Sequence, residues 1–240
     1  MTKVISIGTD RKLFTAESVI RVRQVEYGTL FDELHIVVFA KSAFSLPLKV
    51  QISSNVWIYS TNSFSKSLYV FDAVRIASKI VAEHKLSLND TVVTTQDPFE
   101  TGLVGLKLKK KFGLSLHVQI HTDFINSHFK KQYLLNRLRV LIAKKVLTHA
   151  DAVRVVSKRI AKSLTTFTLK SGVVPKILPI FLDINKITAE SVKFDLKNKY
   201  PQFEFIILMA SRLTKEKNIN LVIKVFEKIQ HLFMTKTLKY

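Results

Sequence analysis

TVVTTQDPFETGLVGLKLKKKFGLSLHVQIHTD, residues 91–123, is the stretch whose reading decides the fold. Residues 91–95 form a short run of strand-favouring residues. Residues 100–112 then read as a helix. Glu100 sits at its start, Lys107, Lys109, Lys110 and Lys111 crowd its end, and Gly113 follows as a C-terminal cap. Residues 116–121 are strand-like again and lead into His121-Thr122-Asp123. Strand, helix and strand in so short a span make a βαβ unit, and repeated units of this kind build a parallel sheet.

The alternation runs outward in both directions. Upstream, Val4-Ile5-Ser6-Ile7-Gly8 reads as a first strand ending in glycine, and residues 14–25 as a helix. Residues 35–39 and 56–59 read as strands, the second after a Ser/Pro/Lys loop. Residues 68–84 carry Phe71, Val74, Ala77, Ile80 and Val81 at helical spacing. Downstream, residues 132–148 read as a long helix with Leu134, Leu138, Leu141 and Ile142 on one side. Residues 152–156 are a strand, Ser157 is placed to cap a helix running to residue 169, and residues 174–180 form a last strand closed by Pro179.

These elements predict a Rossmann-like, doubly wound parallel α/β sheet over residues 1–182, covered on both faces, followed by a linker at 183–202. Residues 203–209 then form an apolar, strand-like run. A turn carrying Arg212 and Lys217 follows, and from Asn218 onward Leu221, Val222, Val225, Phe226 and Ile229 share one helical face. Strand, cationic turn and helix start make half of an anion cradle. Residues 203–240 are therefore expected to be the beginning of a second domain that is not completed.

Composition narrows the chemistry. The 240 residues include 47% hydrophobic side chains, ample for a core, and only six glycines and five prolines, which argues against a low-complexity chain. There is no cysteine, so disulfides, thiolate metal sites and a cysteine nucleophile are excluded, and a reducing compartment is suited. Lys3, Asp10, Arg11 and Lys12 interrupt the first residues, so no secretory signal is read there. The apolar runs are far shorter than the roughly 18 residues of a membrane span. Lys and Arg total 38 against 18 Asp and Glu, a net charge of +20 that favours polyanionic partners. The excess is uneven: between Phe124 and Ala150 stand Lys130, Lys131, Arg137, Arg139, Lys144 and Lys145, with no acidic residue.

Ligands of doubly wound sheets bind beyond the carboxyl ends of the strands, at the point where strand order reverses. Four polar features fall there: Gly8-Thr9-Asp10-Arg11, Gln96-Asp97-Pro98-Phe99-Glu100, His121-Thr122-Asp123, and Ser157. Gly8, Asp10, Asp97 and Asp123 are the candidate loop residues, and His121 is the candidate for chemistry. Each has a plain structural alternative: a tight turn at Gly8, a half-buried histidine at His121, and a solvated turn for Arg212 and Lys217.

Several segments are familiar in order. Gln96–Leu103 followed by His117–Phe124, the strand and cap Ala150-Asp151-Ala152-Val153-Arg154-Val155-Val156-Ser157, the exit Leu178-Pro179-Ile180-Phe181-Leu182-Asp183, and Ser211–Asn218 resemble glycosyltransferase family 4. The resemblance implies a GT-B enzyme, two facing Rossmann-like domains that transfer a sugar from a nucleoside diphosphate sugar with retention of configuration, without an obligatory metal or cofactor. It places His121 near the transferred sugar and Arg212 and Lys217 on the donor diphosphate. Two departures stand out. The paired-glycine loop after the first strand is reduced to Gly8, and the paired glutamates of the family's second domain have no counterpart here.

Three function classes follow. The first is a glycosyltransferase of the cytoplasm acting on a lipid-linked or glycan acceptor, with the basic helix resting on an anionic membrane surface at its inner face. As an incomplete form it is expected to be weak or inactive alone. The second is a basic nucleic-acid-binding protein, disfavoured because the basic clusters lack interleaved aromatics and no known recognition pattern appears. The third is an inert remnant α/β domain.

Overall fold

The computed structural model describes residues 2–182, 184–189, 191, 194–213 and 217–234. They fall into two compact units, Met1–Phe181 and Leu182–Tyr240.

The first unit is built on one eight-stranded sheet. Its strands are β1 (Lys3–Gly8), β2 (Glu33–Val38), β3 (Lys49–Ser53), β4 (Val56–Ser60), β5 (Thr91–Thr95), β6 (Ser115–Ile120), β7 (Ala152–Val155) and β8 (Lys176–Ile177), in the order β3-β4-β2-β1-β5-β6-β7-β8. All pairings are parallel except the β3–β4 hairpin. The chain first winds from β1 toward β2 and β4, then returns across β1 to β5, so strand order reverses between β1 and β5. This is the expected Rossmann-like, doubly wound α/β architecture.

Six helices belong to this unit: α1 (Val19–Gly28), α2 (Tyr69–Glu83), α3 (Glu100–Phe112), α4 (Ser127–Gln132), α5 (Leu134–Leu147) and α6 (Lys158–Leu164). α2, α3, α5 and α6 cover one sheet face. Ile5, Ile7, Val37 and Val93 meet Ala73, Ala77, Ile80 and Leu108 there, while Leu116, Val118, Val153 and Val155 meet Ala143, Val146 and Ile160. Gly105 lets α3 lie close to the sheet, because a Cβ at that position would stand 2.6 Å from Leu116 Cδ1 and 2.7 Å from Thr95 Cγ2. On the opposite face a smaller core packs Leu13, Phe14 and Ile20 against Val4, Leu34, Ile36, Val38, Val56 and Ile58. That apolar cover does not extend over β5–β7, where this face carries Thr94, His117, Gln119 and Arg154, so the expectation of apolar packing on both faces holds for half of the sheet.

Other expectations are corrected in detail. The helix expected at 14–25 is replaced by a 3-10 turn, Arg11–Phe14, and then α1, because Asp10 and Ser18 each cap a separate start. Phe71 is exposed, and the buried face of α2 is Ala73, Ala77, Ile80 and Val81. The loop before residue 56 contains β3, an antiparallel edge strand whose part-exposed side chains leave no apolar run to read. The long helix at 132–148 is divided at Tyr133, whose backbone is extended (φ −147°, ψ 145°). The helix after Ser157 ends at Leu164, and the strand at 174–180 shrinks to β8.

The second unit contains α7 (Ile184–Ala189), α8 (Leu196–Lys199) and α9 (Ile219–Met234). The run 203–209 forms no strand, since within the described residues it has no ladder partner. It lines an apolar hollow of about 440 Å³ with α9, through Phe203, Phe205, Ile207, Val222 and Phe226. Residues 214–216, part of the expected cationic turn, and 235–240, the end of the expected second-domain start, lie outside the described residues.

Two polar locks fasten the first unit. Asp151, before β7, accepts from Leu116 N–H (2.8 Å), from Lys170 (2.6 Å) and from Lys109 at the end of α3. Burial would raise its carboxyl, but these partners hold it down at about 2. At the amino end of the sheet, Glu33 Oε2 accepts from His35 Nε2 (3.0 Å) and His84 Nδ1 (2.7 Å), and Lys3 pairs with Oε1 (3.2 Å). Glu33, His35 and His84 are the one grouping of metal-ligand type among the described residues. The two imidazoles satisfy it as a hydrogen-bonded lock, with Tyr59 O–H at 3.2 Å from His35 Nδ1.

His35 is fully buried, stacked on Trp57, and burial pushes its imidazole down to about 4. The unfolded chain therefore binds more protons than the folded one between pH about 6.5 and 4. Stability contributed by a neutral His35 is present above that window and is lost as pH falls through it. Urea unfolding from pH 7 to 4.5 is expected to show a loss on the order of a few kcal/mol. His35→Gln should flatten this slope, whereas an unchanged slope would remove His35 as its source.

Candidate functional site

The reversal of strand order opens a crevice between the carboxyl ends of β1 and β5. Gly8 closes β1, and a Cβ there would stand 3.1 Å from Gln96 Oε1. That same oxygen accepts from Thr9 N–H (2.8 Å) and Thr9 O–H (3.2 Å), so Gln96 ties the two loops across the reversal. Asp10 turns its carboxylate to the backbone, accepting from Lys12 N–H (3.0 Å) as cap of the 3-10 turn.

Asp97 is likewise engaged locally. Its Oδ1 accepts from Phe99 N–H (2.7 Å), and its carbonyl accepts from Thr95 and Thr101 hydroxyls (3.2 and 3.0 Å). Burial raises its carboxyl above the usual range, with Glu100 adding to the effect. Glu100 receives a forked contact from Arg139 Nε (2.9 and 3.1 Å), which fixes α5 against the start of α3. Asp10 and Asp97 thus shape the loops, and their side chains are occupied.

His121 and Asp123 differ. His121 is exposed just beyond β6, and its imidazole is lowered by partial burial and then by the nearby Arg154 cation. It is therefore neutral at physiological pH, able to donate from one nitrogen and accept at the other. Asp123 has one carboxylate oxygen 3.8 Å from Arg159 Nε, while Oδ1 is buried without a hydrogen-bond partner. A buried carboxylate oxygen without a donor is costly, and a ligand hydroxyl could supply one. Ser157 caps α6, accepting from Ile160 N–H (3.3 Å).

Arg154, Gln119, Thr94 and His117 form a chain across the sheet that the sequence reading passed over. Arg154 donates to Gln119 Oε1 (3.0 Å) and to the carbonyl of Leu178 (3.1 and 3.2 Å). Gln119 donates to Thr94 Oγ1 (3.2 Å), which lies 2.9 Å from His117 Nδ1. Polar residues at every second position of strands that are otherwise apolar are the signal that could have found them. Arg212 and Lys217 lie in the second unit, both exposed, with Lys217 preceding the left-handed Asn218 (φ 46°) at the start of α9. A further concavity of about 250 Å³ in the first unit lies between β4 and α2, lined by Tyr59, Thr61, Arg75, Lys79 and Glu83 among others.

No family profile and no curated protein sequence matches the chain. Solved structures do. Sucrose-phosphate synthase from Thermosynechococcus elongatus superposes with a TM-score of 0.57 at 15% identity, over 77% of this chain and 49% of that one. The N-terminal domain of trehalose-6-phosphate phosphatase from Candida albicans gives 0.52 at 9% identity, over 84% and 53%. UDP-N-acetylglucosamine 2-epimerase from Rickettsia bellii gives 0.50 at 12% identity, over 84% and 51%. The chain thus spans about half the length of each of these three. At such identities the likeness is one of fold: the sheet is a Rossmann-like domain of the GT-B kind.

Burial lowers both His117 and His121, and Arg154 is one charge that adds to the lowering of each. Arg154→Gln is expected to raise both imidazole pKa values, read from ring-proton shifts in an NMR pH titration. Values unmoved by the substitution would show that burial alone sets them.

Proposed function

We propose that this chain carries the acceptor-side domain of a glycosyltransferase resembling family 4, with the opening segment of the donor-binding side following it. The reaction is transfer of a sugar from a nucleoside diphosphate sugar to a lipid-linked or glycan acceptor, with retention and without a metal or organic cofactor. The observation that carries the reading is the exposed His121, two residues before the unpartnered buried oxygen of Asp123, at the carboxyl edge of a GT-B-type sheet.

In this reading His121 holds a hydroxyl of the transferred sugar, and Asp123 Oδ1 accepts from an acceptor or donor hydroxyl. Departure of a nucleoside diphosphate develops negative charge on the leaving phosphate, a charge that cations stabilise, and the family resemblance assigns that role to Arg212 and Lys217 of the second unit. The Thr9–Gln96 bridge sets the floor of the crevice. Asp10 and Asp97 keep these loops in place and are not assigned contacts with the substrate. Sucrose-phosphate synthase and UDP-N-acetylglucosamine 2-epimerase, both named for sugar chemistry, support the substrate class by fold likeness.

Amide NMR titration with a panel of nucleoside diphosphate sugars tests this. Saturable shifts are expected at Thr9, Gln96 and His121. Arg212→Ala or Lys217→Ala should each weaken binding roughly tenfold or more, as loss of a charge-assisted contact does. His121→Ala should suppress any transfer or donor hydrolysis while leaving nucleoside diphosphate binding intact. Absence of saturable binding to every donor would contradict the proposal, as would shifts confined to the concavity between β4 and α2.

A further inference from the structure

α5 faces the sheet with Asn136, Ala143, Val146 and Leu147, all buried. Its opposite side is also apolar. Leu134, Leu138 and Leu141, spaced four and three residues apart, share the outward face and are 82%, 52% and 65% exposed. Tyr133, at the extended break before the helix, is exposed as well. Arg137 and Lys144 flank the leucine stripe on one side, Lys145 continues its line toward the helix end, and all three are exposed. Arg139 lies on the inner flank and is committed to Glu100, so it does not belong to this surface. No acidic residue occurs between Phe124 and Ala150.

Leucines with this exposure are poorly explained as an ordinary solvated face, since outward positions of a surface helix are normally polar. The charge distribution selects the occupant. A nucleic acid would engage the bases but offers nothing to three leucines, and a bilayer with anionic headgroups accepts both. Long Lys and Arg side chains keep their cations at headgroup level while an apolar stripe enters the acyl boundary. At 14 residues α5 is too short to span a membrane but suited to lie in its surface. Among the described residues, no helix is long and apolar enough to cross a membrane.

We propose that the outer face of α5 is a docking surface for anionic phospholipid bilayers, with Leu134, Leu138 and Leu141 inserted and Arg137, Lys144 and Lys145 on the lipid phosphates. The surface rests on α5 alone and goes beyond the sugar-transfer reading, so either can fail without the other.

Co-sedimentation of the full chain with phosphatidylcholine vesicles, with and without phosphatidylglycerol, at 0.15 M salt is the direct test. Binding is expected to the anionic vesicles only. Replacing the three leucines by serine, at exposed positions where folding is checked by circular dichroism, should weaken it at least tenfold. Replacing Arg137, Lys144 and Lys145 by glutamine should weaken it roughly a hundredfold. Because the chain has no cysteine, Leu138→Cys carrying an environment-sensitive fluorophore reports insertion through a blue shift on vesicle addition. The proposal is overturned if the leucine variant binds vesicles as tightly as the parent, if the fluorophore stays in water, or if neither vesicle binds. It is equally overturned if the stripe instead mediates concentration-dependent self-association or binding to double-stranded DNA.

Discussion

The pairing of β1 with β5 is the constraint on which the rest depends. β1 carries a parallel partner on each side, β2 and β5, and the chain leaves it in one direction and returns in the other. The connections that follow β1 and β5 therefore diverge, and no helix can close the gap at their carboxyl ends. What stands at that gap follows from the register: Gly8 ends one strand, Gln96 follows the other, and the Thr9–Gln96 hydrogen bonds bridge them. His121 and Asp123 stand beyond the next strand along, held by the same ladder. A one-residue slip in β6 would exchange the buried Leu116, Val118 and Ile120 for His117 and Gln119, so the core on one face fixes the polar line on the other.

The two faces of this sheet have different characters, and that asymmetry organises the chemistry. One face is dry, packed by α2, α3, α5 and α6. The other is dry only over β1, β2 and β4, and over β5 to β7 it carries hydrogen-bonded polar residues ending in Arg154. Through Leu178, Arg154 also fastens the segment that leaves the domain. One guanidinium thus connects the exit of the domain with the protonation state of His121. The Asp151 lock works by the same logic, since three donors from separate parts of the chain meet one carboxylate at the entrance to β7.

Much of the fold was legible because its signals were local. α3 could be placed from Glu100, the terminal lysines and Gly113, and it runs from Glu100 to Phe112 as read, with Gly113 left-handed at φ 73°. Elements whose existence depends on distant partners were not legible. β3 lies at an edge and exposes much of its surface, so no apolar run announced it, and residues 203–209 carry an apolar run that meets no neighbouring strand among the described residues. At the site, His121 and Asp123 could be singled out by their place after a strand. That Asp10 and Asp97 give their carboxylates to backbone N–H groups two residues on could not be read, because such local turns depend on backbone geometry rather than on residue type. The role of Arg154 is not legible from its place inside an apolar-looking strand, because it depends on neighbours in other strands. The spacing of Leu134, Leu138 and Leu141 marks a stripe, and only the fold shows that it faces outward.

Intermolecular nuclear Overhauser contacts between a bound nucleoside diphosphate sugar and the histidine ring protons are the most direct test of the central claim. The account predicts contacts between the sugar-ring protons and His121, with none to His35 or His84 at the opposite end of the sheet. Contacts that avoid His121 and instead reach Tyr59 and Thr61, in the concavity between β4 and α2, would contradict it.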